Sequence, residues 1–96
     1  RRLALDADAT VTAWSAGAER LFGWTEAEAL GQPGAIIFTD DDRARGVPAA
    51  EAETARRDGQ AADERWHARK DGTTFWGSGV MSAVRNGEGA TRGFVK

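Results

Sequence analysis

The chain predicts an α+β domain in which a few short helices pack on one face of an antiparallel sheet. Three observations carry this. Strand-like text stands at both ends of the 96 residues with helical text between. The second strand block folds on itself at Lys70-Asp71-Gly72 and again at Asn86-Gly87-Glu88-Gly89. Each helical stretch brings its own capping residue, so the helices are short and separately terminated. Helices grouped between two sets of hairpin-connected strands have one economical arrangement, segregated to one sheet face.

The elements follow in order. Leu3-Ala4-Leu5 reads as an apolar strand, Asp6-Ala7-Asp8-Ala9 as a turn, and Thr10-Val11-Thr12-Ala13-Trp14 as a β-branched strand pairing back. Ser15 stands at a helix N-cap, and the helix runs to Leu21-Phe22 before Gly23 stops it. Thr25 and Glu28 form the two ends of a capping box for a second helix, which ends at Leu30-Gly31. Pro33-Gly34 breaks the chain, and Ile36-Ile37-Phe38 is an apolar anchor. Thr39 caps another helical turn over Asp40-Asp41-Asp42. Pro48 suits the first position of a longer helix through Ala49 to Arg57, closed by Asp58-Gly59. Strand text then runs from Ala62 to Val84 around Asp71-Gly72, whose residues both tolerate the positive φ of a primed turn. A last strand starts near Thr91.

Composition removes several function classes. Apolar residues at 41% and charged residues at 29% are ordinary globular values, which excludes a disordered tail. No run approaches a membrane span, and no basic stretch followed by an apolar one marks a signal peptide, which points to the cytoplasm. The absence of cysteine removes disulfides, zinc fingers and thiol nucleophiles together. A net charge of -2 argues against a nucleic-acid-binding face. Both ends stand in strand-like text, so the chain reads as one domain, residues 1–96, excised from a longer protein.

The helical segment Trp14-Ser15-Ala16-Gly17-Ala18-Glu19-Arg20-Leu21-Phe22-Gly23-Trp24, with Glu26-Ala27-Glu28-Ala29-Leu30-Gly31, resembles the helical signature of PAS domains. Glu64-Arg65-Trp66-His67-Ala68-Arg69-Lys70-Asp71-Gly72 followed by Phe75-Trp76 resembles the hairpin signature of the same family, in the right order and spacing. Ser15 departs from the usual Asn of that family, and either side chain caps a helix. The resemblance implies a five-stranded antiparallel sheet in the order 2-1-5-4-3. It also implies a non-catalytic sensory module, cytoplasmic and from a bacterial signalling protein such as a histidine kinase. Such a module binds a small ligand or sets dimer geometry, and passes a conformational change through its last strand to a C-terminal effector. An empty dimerisation module is the alternative within the family.

The family has cofactor-bearing branches. The flavin-binding photosensors carry a reactive cysteine at a position that falls near Gly34, in Gly31-Gln32-Pro33-Gly34-Ala35, so adduct photochemistry is not expected. Haem-binding relatives often ligate iron from the long helix, and Val47 to Gly59 holds no histidine. No cofactor is assigned.

Strand alternation separates two faces in the fourth strand. Phe75, Gly77, Gly79 and Met81 share one; Trp76, Ser78, Val80 and Ser82 share the other. Hydrophobicity alone would turn the tryptophans inward. Alignment of the Asp-Gly turn with PAS relatives implies the opposite, with His67, Gly77, Gly79 and Met81 toward the helices. Strand glycines often mark close approach of a ligand, which makes Arg65, His67, Gly77, Gly79, Met81, Phe22 and Ile37 the candidate pocket. The competing reading is that Trp14, Phe22 or Met81 simply fills that space. Trp66, Trp76 and Val80 become a candidate interface for a homodimer.

His67, the single histidine, has no second metal ligand beside it in sequence, and Asp40-Asp41-Asp42 reads as helix capping, so no metal site is assigned. One enzymatic reading competes. Asp6-Ala7-Asp8-Ala9-Thr10 matches the Asp-x-Asp-x-Thr nucleophile motif of haloacid-dehalogenase-like phosphatases. Those enzymes are larger and parallel-stranded, whereas this motif leads straight into a second strand, where two aspartates shape a hairpin turn.

Overall fold

The computed structural model describes residues 1–96. Strands β1 (Leu3–Asp6) and β2 (Val11–Trp14) are followed by α1 (Ala16–Phe22), α2 (Glu26–Ala29), a 3₁₀ turn (Gly34–Ile37), α3 (Asp40–Ala44) and α4 (Val47–Asp58). The chain then forms β3 (Gln60–Ala68), β4 (Thr74–Arg85) and β5 (Thr91–Val95). All five strands make one antiparallel sheet in the order β2-β1-β5-β4-β3. The first and last strands lie side by side at its middle, with Leu5 opposite Phe94. Nothing in the helices is long and apolar enough to cross a membrane.

Local chemistry sets the helix ends. The Ser15 hydroxyl accepts from the Ala18 N–H, and the Thr25–Glu28 capping box is complete in both directions. Thr39 caps α3 through the Asp42 N–H. The helix at Pro48 begins one residue earlier than expected. Gly46 is its N-cap and accepts the first turn's bond from the Ala50 N–H, which moves Pro48 to the second helical position. Strand β3 also starts earlier, at Gln60, because the Ala83 N–H donates to the Gly59 carbonyl and extends the ladder.

The Asp71-Gly72 turn is a hairpin loop of another kind than the primed one expected. Only Gly72 takes a positive φ, 86°. The Gly72 N–H donates to the Arg69 carbonyl at 3.0 Å, closing a three-residue loop. Asp71 instead caps the loop by accepting from the Thr73 N–H and hydroxyl. Two contacts tie this loop to the end of α1. The Lys70 N–H donates to the Phe22 carbonyl at 2.8 Å, and Arg69 Nε donates to the Leu21 carbonyl at 3.1 Å. Lys70 also forms an ion pair with Glu28 of α2.

The core lies between the inner sheet face and the helices. Leu3, Leu5, Val11, Trp14, Met81 and Phe94 from the strands meet Ala18, Phe22, Ile37, Phe38, Ala52 and Ala55. Small alanines, Ala52 and Ala55, let α4 approach the sheet closely, while Phe94 and Ile37 supply the largest fully buried side chains. Each such large side chain contributes about 1.5–3 kcal/mol when fully buried.

Candidate functional site

Residues of β3 and β4 pair directly, His67 opposite Phe75, Arg65 opposite Gly77, Asp63 opposite Gly79 and Ala61 opposite Met81. A cavity of about 100 Å³ opens between this part of the inner face and α1. Phe22, His67, Gly77 and Gly79 line it, together with Phe75, Asp63 and Lys96. Ile37 and Met81 do not reach it and border a separate void of about 20 Å³ under the 3₁₀ turn. Arg65, expected as a polar rim, lines neither and turns to two carboxylates instead. The two glycines differ. A Cβ at Gly77 would sit 2.7 Å from His67 Cδ2, so its space is already filled by the imidazole; a Cβ at Gly79 would meet nothing within 4 Å. The space at Gly77 is thus taken by His67 rather than by Trp14, Phe22 or Met81, which are themselves buried in the core, and the opening is local to Gly79.

The polar part of the site is a buried ion network that alternation on β3 builds. Asp63, Arg65 and His67 fall on inward-facing parity, and the pleat brings their heads together. Asp63 accepts from Arg65 Nε at 3.0 Å, from His67 Nε2 at 3.1 Å and from Lys96 Nζ at 2.9 Å. Lys96 also donates to Glu51 of α4 at 2.7 Å, and Arg65 stands 3.2 Å from the other Glu51 oxygen. His67 is 3% exposed. Its Nδ1 donates to the Ile37 carbonyl at 3.1 Å.

The two carboxylates respond to this environment in opposite directions. Burial works to raise the Asp63 carboxyl, but the hydrogen bond from His67 and the Lys96 ammonium outweigh it and hold it well below the usual range. Burial raises the Glu51 carboxyl, and the Lys96 charge opposes this without cancelling it. Sequence reasoning did not find Glu51, Asp63 or Lys96. The period-two spacing of Asp63, Arg65 and His67 in β3 was a usable signal for Asp63. Glu51 and Lys96 carried none, since only the fold brings residues 45 apart together.

On the opposite sheet face the structure places Trp66, Trp76 and Val80, exposed at 54%, 58% and 48%. The two indoles are cross-strand partners in a T-shaped pair, with ring centroids 5.8 Å apart. Val84 is exposed beyond Val80 along β4, and Leu30 is exposed on the helical side.

The remaining motifs resolve into local structure. Asp6 Oδ1 accepts from the Asp8 and Thr10 N–H groups, closing the β1–β2 turn. The antiparallel sheet around it is not the parallel fold to which the phosphatase motif belongs. Asp40 pairs with Arg43, and Asp41 with Arg45 at 3.5 Å, at the start and end of α3. A Cβ at Gly34 would lie 3.0 Å from both Leu5 methyl carbons and 3.3 Å from the Ala9 carbonyl oxygen.

Sheet order, helix placement and motif positions together define a class of sensory α+β domains. The chain belongs to the PAS family: the family model described as "PAS fold" matches residues 3–95. It is 34% identical over 92 residues to Two-component system protein A of Emericella nidulans, an alignment covering 96% of this chain and 13% of that protein's length. Among solved structures it superposes on the PAS domain of a protein from Colwellia psychrerythraea with a TM-score of 0.86 at 19% identity, covering 98% of this chain and 80% of that one. An RNA-binding Light-Oxygen-Voltage receptor gives a TM-score of 0.82 at 24% identity, covering 98% of this chain and 27% of the receptor. At these identities the structural matches speak for the fold.

Proposed function

We propose that this PAS domain is a non-catalytic regulatory module that pairs with a second copy of itself through the outer sheet face. It relays changes at that face to an effector domain such as a histidine kinase. The observation that carries the reading is the exposed Trp66–Trp76 pair with Val80 and Val84 along the same strand. An exposed indole pair with two further exposed valines on the same face, spaced by Ser78 and Ser82, is uncommon on a face that stays in water. The patch is aromatic at one end and aliphatic at the other, so a two-fold arrangement sets the indoles of one copy on the valines of the next. Relay is supported by connectivity. Strand β4 carries the patch and is hydrogen-bonded to β5, with Ser82 opposite Val95. Lys96, immediately after β5, reaches into the buried ion network. The name of the two-component relative supports an output within two-component signalling.

This reading needs neither flavin nor haem. A Cβ at Gly34 would sit 3.0 Å from the Leu5 methyl carbons, so a side chain there needs those methyls to give a little, and both nitrogens of the single histidine already face protein oxygens.

The test is Trp76→Ala. An exposed aromatic pair adds about 0.5–1.5 kcal/mol to folding, whereas a central interface tryptophan carries about 2 kcal/mol or more of binding. Sedimentation across a concentration series should show self-association weakened by at least about thirtyfold while thermal unfolding shifts little. Unfolding of the variant, or unchanged association, refutes the pairing. A monomeric wild-type domain that dimerises only with its flanking segments would assign the face to those segments instead.

A further inference from the structure

We infer that the free edge of β3 is a docking site for an extended basic segment of a partner protein, which adds to the sheet as a further strand. The two edges of the sheet differ. The β2 edge is sealed by the chain itself, where the Val11 N–H donates to the Gln32 carbonyl at 2.8 Å and the Gly31 N–H to the Val11 carbonyl at 3.0 Å. The β3 edge is open along most of its length. The Gly59 carbonyl and the Arg69 N–H, just beyond its two ends, both bond across to the β4 side, so the odd-numbered residues between them turn their backbone groups toward β4. Gln60, Ala62 and Glu64 therefore aim theirs outward, and no other group of the chain bonds to them. Phe38 closes this edge only at its far end, opposite His67.

The usual protections of an exposed edge are missing. Proline, lysine or a bulge commonly deters a further strand. The nine residues of β3 contain neither proline nor lysine. Their register with β4 runs unbroken from Gln60 to Ala68, whereas the β1–β2 and β4–β5 pairings both slip. The inward charges of the strand, Asp63 and Arg65, are already paired with each other at 3.0 Å and do not repel a newcomer.

Charge selects the occupant. A groove of about 470 Å³ runs beside this edge, with Asp41 and Asp42 of α3 on one bank and Glu64, Trp66 and Trp76 of the sheet on the other. Its two arginines are committed, Arg45 to Asp41 at 3.5 Å and Arg65 to Asp63 and Glu51 at 3.0 and 3.2 Å. Asp42 and Glu64 have no cationic partner, and Glu64 takes only the Ser78 hydroxyl at 3.4 Å. In a strand added at β3, an outward lysine or arginine opposite Glu64 pairs with that carboxylate and lies diagonal to the Trp66 indole, within cation–π reach. A second copy of the chain is a poorer occupant. It would bring its own Asp41, Asp42 and Glu64 against this groove, setting like charges together.

The probes are the end-blocked heptapeptide Thr-Lys-Val-Arg-Val-Lys-Thr, whose basic side chains share one strand face, and its counterpart with glutamate at every basic position. Each is titrated into the wild-type domain and followed by NMR. The basic peptide should shift the Ala62, Glu64 and Trp66 amides saturably and slow hydrogen exchange at the Ala62 and Glu64 N–H groups. The acidic peptide should do neither at the same concentrations. Glu64→Lys should weaken binding of the basic peptide at least about tenfold. Ala62→Pro removes an outward N–H at a position where an edge strand accepts proline, and should weaken it comparably. Should the proline variant fail to fold, Glu64→Lys, a change at an exposed side chain, carries the test. Equal binding of the acidic peptide overturns the inference, as do shifts without slowed exchange, binding unaffected by the folded variants, or no saturable shift at all. Slowed exchange of the same amides without peptide, growing with protein concentration, assigns the edge to a second copy and overturns it too. Both variants keep Trp66 and Trp76, so this result and the sedimentation of Trp76→Ala stand or fall separately.

Discussion

Lys96→Met probes the buried ion network most directly. The Lys96 ammonium sits 2.7 Å from Glu51 and 2.9 Å from Asp63, and the three side chains are 8%, 1% and 6% exposed. Asp63 keeps Arg65 and His67 when the ammonium is removed. Glu51 does not fare as well. Its Oε1 loses Lys96, and its Oε2 faces Arg65 at 3.2 Å without a hydrogen bond. Removing one partner of a buried pair costs about 3–5 kcal/mol, because the charge left behind stays desolvated. For a domain of this size each kcal/mol is worth roughly 4–8 °C in Tm, so the midpoint should fall by more than about 10 °C at neutral pH. Glu51 has a way to relieve this by taking a proton. Burial already raises its carboxyl above the ordinary 4.5, and losing the ammonium raises it further. A carboxyl raised in the folded state favours folding at low pH and loses that benefit as pH rises through its folded value. The defect of Lys96→Met should therefore be smaller near pH 5 than near pH 7.5. Adding Glu51→Met should recover most of the loss, since buried pairs are often replaced by apolar side chains without penalty. Calorimetry of the two variants at both pH values checks this. A loss below about 1 kcal/mol, or one equal at the two pH values, refutes the account of Glu51.

Two further outcomes follow from the site. Asp63 is held below its ordinary 3.8, so its contribution is present above that pH and is lost as pH falls below it; Asp63→Asn should flatten the acid limb of the stability curve, and an equally steep limb in the variant would contradict the shift. Gly77→Ala should destabilise by about 1–3 kcal/mol because its Cβ meets His67 Cδ2 at 2.7 Å, whereas Gly79→Ala should be neutral or stabilising by up to about 1 kcal/mol, as denaturant midpoints will show.

Much of the architecture was legible because it is encoded locally. Ser15, Thr25 with Glu28, and Thr39 announce helix starts through side chains that satisfy backbone N–H groups within a single turn. Turn residues separate strands of period-two pattern, and the family motifs then supply the sheet order. The Asp71-Gly72 turn shows the limit. The dipeptide marks a hairpin, but the loop type depended on the pull of α1 on Arg69 and Lys70, contacts that span about fifty residues. Face assignment in β4 was ambiguous for the same reason. Parity says that Phe75 and Trp76 lie on opposite faces, and only the helices decide which face is covered.

What the amino-acid order determined alone was the succession of elements, their caps and turns, and, through its motifs, membership of the PAS family. Those depend on interactions between residues a few positions apart, which are written in adjacent letters. Only the tertiary structure decided that Arg65 serves an ion network, that His67 takes the space beside Gly77, and that the opening lies at Gly79. It also brought Glu51 and Lys96 to Asp63. A buried charge is tolerated only where partners from distant elements converge within hydrogen-bond reach, and that convergence belongs to the packing of α4 on β3 and to the sheet order that brings the residue after β5 within reach of both, rather than to any local pattern.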